Sequence, residues 1–392
     1  MLATWVAWAG VFFVFLVLLE LLHMNLLLVW VLKREPRLAD HTSGNAPNTL
    51  PLVTVIIAAK DEERHIEEAA RSILASDHSS IQLILVDDRS TDRTLEIMED
   101  LARQDDRITV LSVQELPPGW TGKTHAVFLG THQASGEILL FTDADTVFRP
   151  DAISRALRHF LANGLDMMSL IPGFTDRGLL EDAVHPHLAL GLSYFYPLTE
   201  VNDSNKPAAM ASGCFIMISK WAYSEVGTWE TFRSQVTEDV ALAKAVKAKG
   251  LKMGLMRGGD LVRTRPFETL SEVCSFWERT YYGALEQSIP KMVRLVFNYI
   301  SLVLLTLFFV SSGVLLLAGT DTGPINGLFA MSTLAMAAVI IPYSVFIRLE
   351  HGNWLYGLMA PVGIFVGAWV AVHTLGTVVM DKGIQWRGSL YR

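Results

Sequence analysis

From Trp5 to Trp30 the chain carries only two ionisable side chains, Glu20 and His23. Nearly charge-free runs return at Val293–Gly319, Ile325–Ile347 and Leu355–Met380. Each is long enough for a helix across a bilayer, which needs about 20 apolar residues. Most of the charge is confined between Lys33 and Lys291. With 51% hydrophobic and 18% charged residues overall, the chain is too apolar for a wholly soluble protein and too charged for a pure membrane bundle. The expected architecture is a globular domain between one N-terminal and two to three C-terminal transmembrane helices.

The first run exceeds the roughly 7–15 apolar residues of a signal-peptide core, and no basic segment precedes it. It reads as a retained anchor. Lys33, Arg34 and Arg37 follow it, and Lys291 and Arg294 flank the second run. The positive-inside tendency then predicts a multi-pass protein of the cell membrane whose globular domain faces the cytoplasm. Three later spans would leave the C-terminus outside, whereas Lys382, Arg387 and Arg392 favour the inside. A re-entrant or interfacial C-terminal run, marked by Pro342 or Pro361, would reconcile the two. The expected divisions are an anchor at 1–34, a polar Pro/Ser/Gly/Asn linker at 35–51, a cytoplasmic domain at 52–290, a membrane region at 291–381 and a basic tail at 382–392.

Two cysteines, Cys214 and Cys274, make no metal-binding pattern and read as reduced thiols. A net charge of −8 argues against a nucleic-acid partner.

Within the charged block, apolar runs of strand length alternate with helical spacing. "VTVIIAA" (53–59), "IQLILV" (81–86), 108–113 and 137–142 read as strands. Helices are expected over 62–75, 91–103 and 123–134. Unbroken apolar strands joined by helices predict an α/β fold with a mostly parallel sheet. Ligands of such sheets bind beyond the carboxyl ends of the strands. Asp87 and Asp88 end the second strand, and Asp143 and Asp145 end the fourth. Either cluster alone is also explained by turn or cap chemistry, the role expected of Asp92. Together, after two buried strands, four carboxylates at one edge require a cation. A hard divalent ion, Mg²⁺ or Mn²⁺, binds through one or two carboxylates plus substrate phosphates, so a nucleoside diphosphate is the matching ligand.

A third acidic pair, Glu238 and Asp239, opens a helix that Thr237 is placed to cap. These carboxylates either offset the helix dipole or include a general base, Asp239, for an attacking hydroxyl. In "LPPGWTGKTHA" (116–126), a Pro/Gly turn leads into a helix with Lys123 at its start, placed to neutralise a phosphate.

The ordered set "VTVIIAAKDEE", "VDDRSTD", "PPGWTGK", "FTDADT" and "VTEDVALAKAVKAKG" resembles the membrane-bound inverting glycosyltransferases of family 2, with the GT-A nucleotide-diphospho-sugar transferase fold. The resemblance covers about residues 50–290. Within the family, "PPGWTGK" and the C-terminal "WRGSLYR" are most similar to hopanoid- and carotenoid-associated lipid glycosyltransferases, and more distantly to ceramide glucosyltransferase. The resemblance implies that Ala58, Lys60, Glu62 and Asp88 contact the nucleobase and ribose, with Asp87 nearby. It implies that Asp143 touches ribose or metal, that Asp145 binds the metal, and that Asp239, with Glu238 beside it, supplies the catalytic base. UDP is the nucleotide it favours. Two stretches depart from the family pattern: Ala58-Ala59-Lys60-Asp61-Glu62 stands where the family has Pro-Ala-Arg-Asn-Glu, and "SFWERTYYG" keeps only Arg279 of a Gln/Arg-x-x-Arg-Trp motif, where it is a candidate for the diphosphate.

Over 268–288, Leu270, Val273, Trp277, Tyr281 and Ala284 share one helical face. It reads either as an interfacial helix at the lipid headgroups or as a core helix. The interfacial reading makes a membrane lipid the acceptor, with His185, His187 and "LSYFYPL" at its entry. A polyprenyl-phosphate acceptor and a catalytically silent membrane scaffold are the alternatives.

Overall fold

The computed structural model describes residues 2–32, 37–38, 49–193, 195–196, 198–235, 237–386 and 389–391. Lys33, Arg34, most of the expected linker, Arg387 and Arg392 lie outside the described residues. The chain divides into two compact units. One comprises Glu35–Asp176 and Tyr196–Arg265, the other Met1–Arg34, Arg177–Phe195 and Pro266–Arg392.

Helix α1 (Leu2–Leu32) opens the chain. The sheet unit begins with β1 (Val53–Ala59), α2 (Ile66–Leu74), β2 (Ile81–Asp87), α3 (Thr94–Gln104), β3 (Ile108–Ser112), α4 (Gly122–His132), β4 (Ile138–Asp143), β5 (Thr146–Phe148), α5 (Ala152–Ala162) and β6 (Met167–Phe174). The chain then enters the other unit for α6 (Leu179–Ala183) and α7 (His185–Ser193). It returns for α8 (Leu198–Val201), β7 (Ile216–Ser219), α9 (Lys220–Glu225), α10 (Thr228–Thr231), α11 (Glu238–Ala248) and β8 (Met253–Thr264).

The eight strands lie in the order β3-β2-β1-β4-β7-β6-β8-β5. β1 is parallel to β2 and β4, β2 to β3, and β6 to β8. β7 runs antiparallel between β4 and β6, and β5 antiparallel beside β8. The parallel arrangement expected from the strand-helix alternation therefore holds for β3-β2-β1-β4, and β7 makes the whole sheet mixed. Alternate residues of β1 serve opposite faces, as a two-residue period demands. Val55 and Ile57 pack with Ile66, Ala70 and Ile73 of α2, while Ile56 packs with Ala126 and Val127 of α4. All three β1 side chains are fully buried, which is why the run has no polar alternation.

The other unit contains α12 (Leu270–Ala284), α13 (Ile289–Leu317), α14 (Gly323–Leu349), a 3₁₀ turn at Trp354–Met359 and α15 (Ala360–Val379), then a hairpin of β9 (Ile384–Trp386) and β10 (Ser389–Tyr391). Among the described residues, Ile289–Leu317, Gly323–Leu349 and Trp354–Val379 are long and apolar enough to cross a membrane. Pro342 lies inside α14 and Pro361 in the first turn of α15.

Three tyrosine hydroxyls pin the short helices α6 and α7. Tyr281 of α12 donates to the Leu188 carbonyl at 2.8 Å, Tyr299 of α13 to that of His187 at 2.9 Å, and Tyr343 of α14 to that of Asp182 at 3.1 Å. Asp182 is buried but paired: it meets the Arg177 guanidinium at 2.7 Å and accepts from the Asn353 N–H at 2.8 Å. Burial, with the charge of Arg177, lowers the His185 pKa to about 3. Burial alone takes His187 to about 3, where its ring stacks on Tyr343 at 3.9 Å. The aromatic face of α12 is turned inward: Val273, Trp277, Tyr281 and Ala284 are buried, and the Trp277 indole N–H donates to His185 Nδ1 at 3.3 Å.

Candidate active site

The register of β1 with its two neighbours assembles the site. Ala58 stands opposite Asp143 of β4, and Ala59 opposite Asp87 of β2. Two acidic clusters more than fifty residues apart thus end in adjacent rows of one sheet, at its carboxyl edge, as the strand pattern predicts.

Asp87 and Asp88 are buried. Asp87 accepts from the Ser90 N–H at 3.3 Å, and Asp88 pairs with the Arg89 guanidinium at 2.8 Å. The loop from β2 into α3 is tied to the loop after β1. Asp61 Oδ1 accepts from the Thr91 N–H at 2.7 Å and its hydroxyl at 3.1 Å, and the Glu62 N–H donates to Thr94 Oγ1 at 2.8 Å. Asp61 departs from the family pattern, and its carboxylate is a loop tie. Asp92 does hold the first turn of α3, accepting from the Thr94 N–H at 3.0 Å and the Glu63 N–H at 3.1 Å. Burial opposes the Asp92 charge, but the Thr94 hydroxyl and these N–H groups outweigh it and lower its pKa.

Helix α4 starts under a working cap, with the Thr121 hydroxyl accepting from the Thr124 N–H at 3.1 Å. Gly122 sits against the Asp87–Asp88 cluster, where a Cβ would run into Asp88 Oδ2. Lys123, the next residue, does not stand beside an open loop. Its Nζ lies 2.7 Å from Asp143 Oδ1 and 2.8 Å from Glu238 Oε1. Burial works against this ammonium, but Asp143 and Glu238 outweigh it and raise its pKa above the ordinary lysine value. The two carboxylates come from the end of β4 and the start of α11, so Lys123 joins two of the three acidic sites.

Asp239 is fixed by backbone donors: the Gly213 N–H at 3.0 Å to Oδ2 and the Val240 N–H at 2.8 Å to Oδ1. Thr237 makes no side-chain cap bond to α11, which corrects the expected cap; the helix opens on Glu238 and Asp239. The turn before β7 also reaches Asp143, since the Cys214 thiol donates to its Oδ2 at 3.5 Å. Burial, reinforced by Asp143 and Asp145, pushes that thiol's pKa well up, so it stays protonated and able to donate. Asp145 lies 3.5 Å from the Arg265 guanidinium.

Asp87, Asp88, Asp143, Asp145, Glu238, Asp239 and Lys123 all belong to the sheet unit, as do Ala58, Lys60 and Glu62. Arg279 belongs to the other unit, with its guanidinium over the Phe276 ring at 5.6 Å. Gly213 was not singled out from the sequence, Cys214 was read there only as a reduced thiol, and the pairing of Arg265 with Asp145 has no local motif to announce it.

Among the described residues, no group of three or more His, Cys, Asp or Glu side chains is placed to hold a metal ion alone. A hard divalent ion such as Mg²⁺ or Mn²⁺ needs fewer protein ligands than that when it binds beside a diphosphate. There one or two carboxylates suffice, and phosphate oxygens and water complete the shell.

Residues 54–227 match the family described as Glycosyl transferase family 2. An uncharacterized glycosyltransferase of Haemophilus influenzae is 29% identical over 118 residues, covering 30% of this chain and under half, 46%, of that relative. The 4,4'-diaponeurosporenoate glycosyltransferase of Staphylococcus aureus (strain USA300) is 23% identical over 361 residues, covering 86% of this chain and 88% of the relative. A mannosyltransferase from Pyrobaculum calidifontis, solved with GDP-Man and Mn²⁺, superposes with a TM-score of 0.54 at 16% identity, covering 95% of this chain and 99% of that one. With its strand-end acidic clusters and GT-A-type sheet, the chain carries a glycosyl transferase family 2 domain and is a glycosyltransferase.

Proposed function

We propose that the protein transfers a sugar from a nucleoside-diphosphate sugar, UDP-linked, to a hydroxyl of a membrane lipid, with inversion at C1 and dependence on a divalent ion. The observation that carries this reading is the convergence of Asp143, Glu238 and Lys123 within hydrogen-bond distance, beside the Asp87–Ala59 and Asp143–Ala58 register rows. A donor diphosphate needs cationic groups, and an attacking hydroxyl needs a base. This edge holds candidates for both.

Asp143 and Asp145 would hold the Mg²⁺ or Mn²⁺ ion, which when bound supplies positive charge to the leaving diphosphate. Ala58, Lys60, Glu62 and Asp88 line the nucleoside side. Lys123 brings a second positive charge to the phosphates. Asp239, held by two backbone N–H groups, takes the proton of the acceptor hydroxyl as its oxygen bonds to C1. The C1–O bond to the diphosphate breaks on the opposite face, so an α-linked donor gives a β-glycoside. Three helices able to cross a membrane and a relative named for diaponeurosporenoate support a lipid acceptor and a membrane location, and the basic Lys291 and Arg294 at the start of the first of these helices favour the cytoplasm for the sheet unit.

The test is an organic-phase transfer assay. Purified protein in nanodiscs with a total lipid extract receives labelled UDP- and GDP-sugars with Mn²⁺ or Mg²⁺, alongside Asp145→Asn. Label should enter lipid only with metal and intact Asp145. Label that stays aqueous with every donor and both ions would overturn the lipid-transfer reading.

A further inference from the structure

The metal reading meets an obstacle in the site itself. Each aspartate assigned to the ion already faces a side-chain cation: Lys123 Nζ at 2.7 Å from Asp143, and the Arg265 guanidinium at 3.5 Å from Asp145. An ammonium in contact with Asp143 Oδ1 and a divalent ion on the same carboxylate repel each other at short range, where water screens poorly. The lysine position is also built. Glu238 also holds it at 2.8 Å, and Gly213 leaves the ammonium its room: a Cβ there would stand 2.9 Å from Nζ and would push the flexible end of the lysine aside. Yet the Lys123 side chain keeps 37% of its surface exposed and has a flexible four-carbon stem, so it is free to change partners.

Resting on the metal-dependent reading above, we propose that Lys123 closes the Asp143 metal seat in the donor-free protein and passes to the diphosphate when the donor arrives. Divalent-ion binding is then conditional on nucleotide. The phosphates supply the anionic charge that draws the ammonium off Asp143, and the carboxylate so released joins Asp145 and the phosphate oxygens around the ion. A lysine that merely braced the fold would not link the two ligands. The arrangement prevents the site from filling with ion alone, a state in which the diphosphate would have to enter beside an already satisfied metal.

The experiment measures Mn²⁺ binding to full-length protein in nanodiscs by electron paramagnetic resonance, with and without UDP or GDP. Wild type should bind Mn²⁺ weakly alone and tightly with nucleotide. Lys123→Gln, which removes the competing charge, should bind Mn²⁺ alone about tenfold more tightly or better, whereas Lys123→Arg should keep the wild-type dependence. Gly213→Ala, which crowds Nζ without removing its charge, should also strengthen nucleotide-free binding and serves if Lys123→Gln does not fold. If wild type binds Mn²⁺ with nucleotide but neither Lys123→Gln nor Gly213→Ala gains affinity without it, this proposal falls and the metal reading stands. If wild type fails to bind Mn²⁺ even with UDP and GDP, both fall.

Discussion

The backbone N–H of Gly213 donates to Asp239 Oδ2 at 3.0 Å. This bond ties the turn before β7 to the first residues of α11, and together with the Val240 N–H it holds the candidate base from the main chain. Replacing Asp239 with Asn keeps the shape and an acceptor oxygen but removes proton-accepting capacity. We expect transfer to fall roughly 10²–10⁴-fold, the usual range for losing a general base, with nucleotide affinity unchanged. Steady-state transfer beside nucleotide titration separates the two, and an active Asp239→Asn would remove Asp239 from this role.

Gly122 permits the approach of α4 to Asp88. In Gly122→Ala the new methyl must displace Asp88 or the Arg89 guanidinium paired with it. We expect a stability loss of about 1–3 kcal/mol from overpacking and nucleotide affinity lower by roughly tenfold. Calorimetry of unfolding and of UDP binding reads both; an unchanged nucleotide affinity would mean that Asp88 lies away from the nucleoside.

Asp61 ties the loop after β1 to the loop after β2 through Thr91. Asp61→Ala should cost about 1 kcal/mol of stability and raise the donor KM several-fold while leaving kcat nearly intact. A fall in kcat with KM unchanged would show that Asp61 acts on the reaction instead of on loop order.

Acid should weaken the helical unit. His185, partly buried, and His187, buried, are neutral with pKa values near 3, against an ordinary value of 6.5. Above pH 6.5 neither state binds the proton, and their contribution is complete. As pH falls below 6.5, the unfolded chain takes up protons that the folded one refuses. Stability then drops by about 1.4 kcal/mol per pH unit for each histidine. Melting curves between pH 7 and pH 5 should show this slope, and His187→Phe should flatten it; a variant with the wild-type slope would point to other groups.

Much of the sheet was legible because its strands are buried on both faces. The run 53–59 coincides with β1, and the 81–86 and 108–113 runs match β2 and β3 to within a residue. β7 was not legible: four residues long and antiparallel, it breaks the alternation that announces the others. The acidic residues could be picked out because carboxylates after apolar strands are unusual. Their partners could not. Lys123 meets Glu238 across more than a hundred residues, and Arg265 meets Asp145 across a similar gap. Those pairings follow from tertiary register, which one sequence does not spell out. Lys123 was read as a phosphate ligand, and its pairing with Asp143 and Glu238 was invisible at that level.

The excursion of residues 177–195 into the helical unit constrains how the protein can be dissected. The chain leaves the sheet after β6, builds α6 and α7 under the hydroxyls of Tyr281, Tyr299 and Tyr343, and returns to complete β7 and β8. No single cut therefore separates the two units. A fragment ending at Arg265 keeps every strand of the large sheet but strips the cover from Leu188, Leu192 and the paired Asp182, all buried in the whole chain. Such a fragment should precipitate or need detergent, whereas one that also replaces 177–195 with a short polar bridge has the better prospect of remaining in solution.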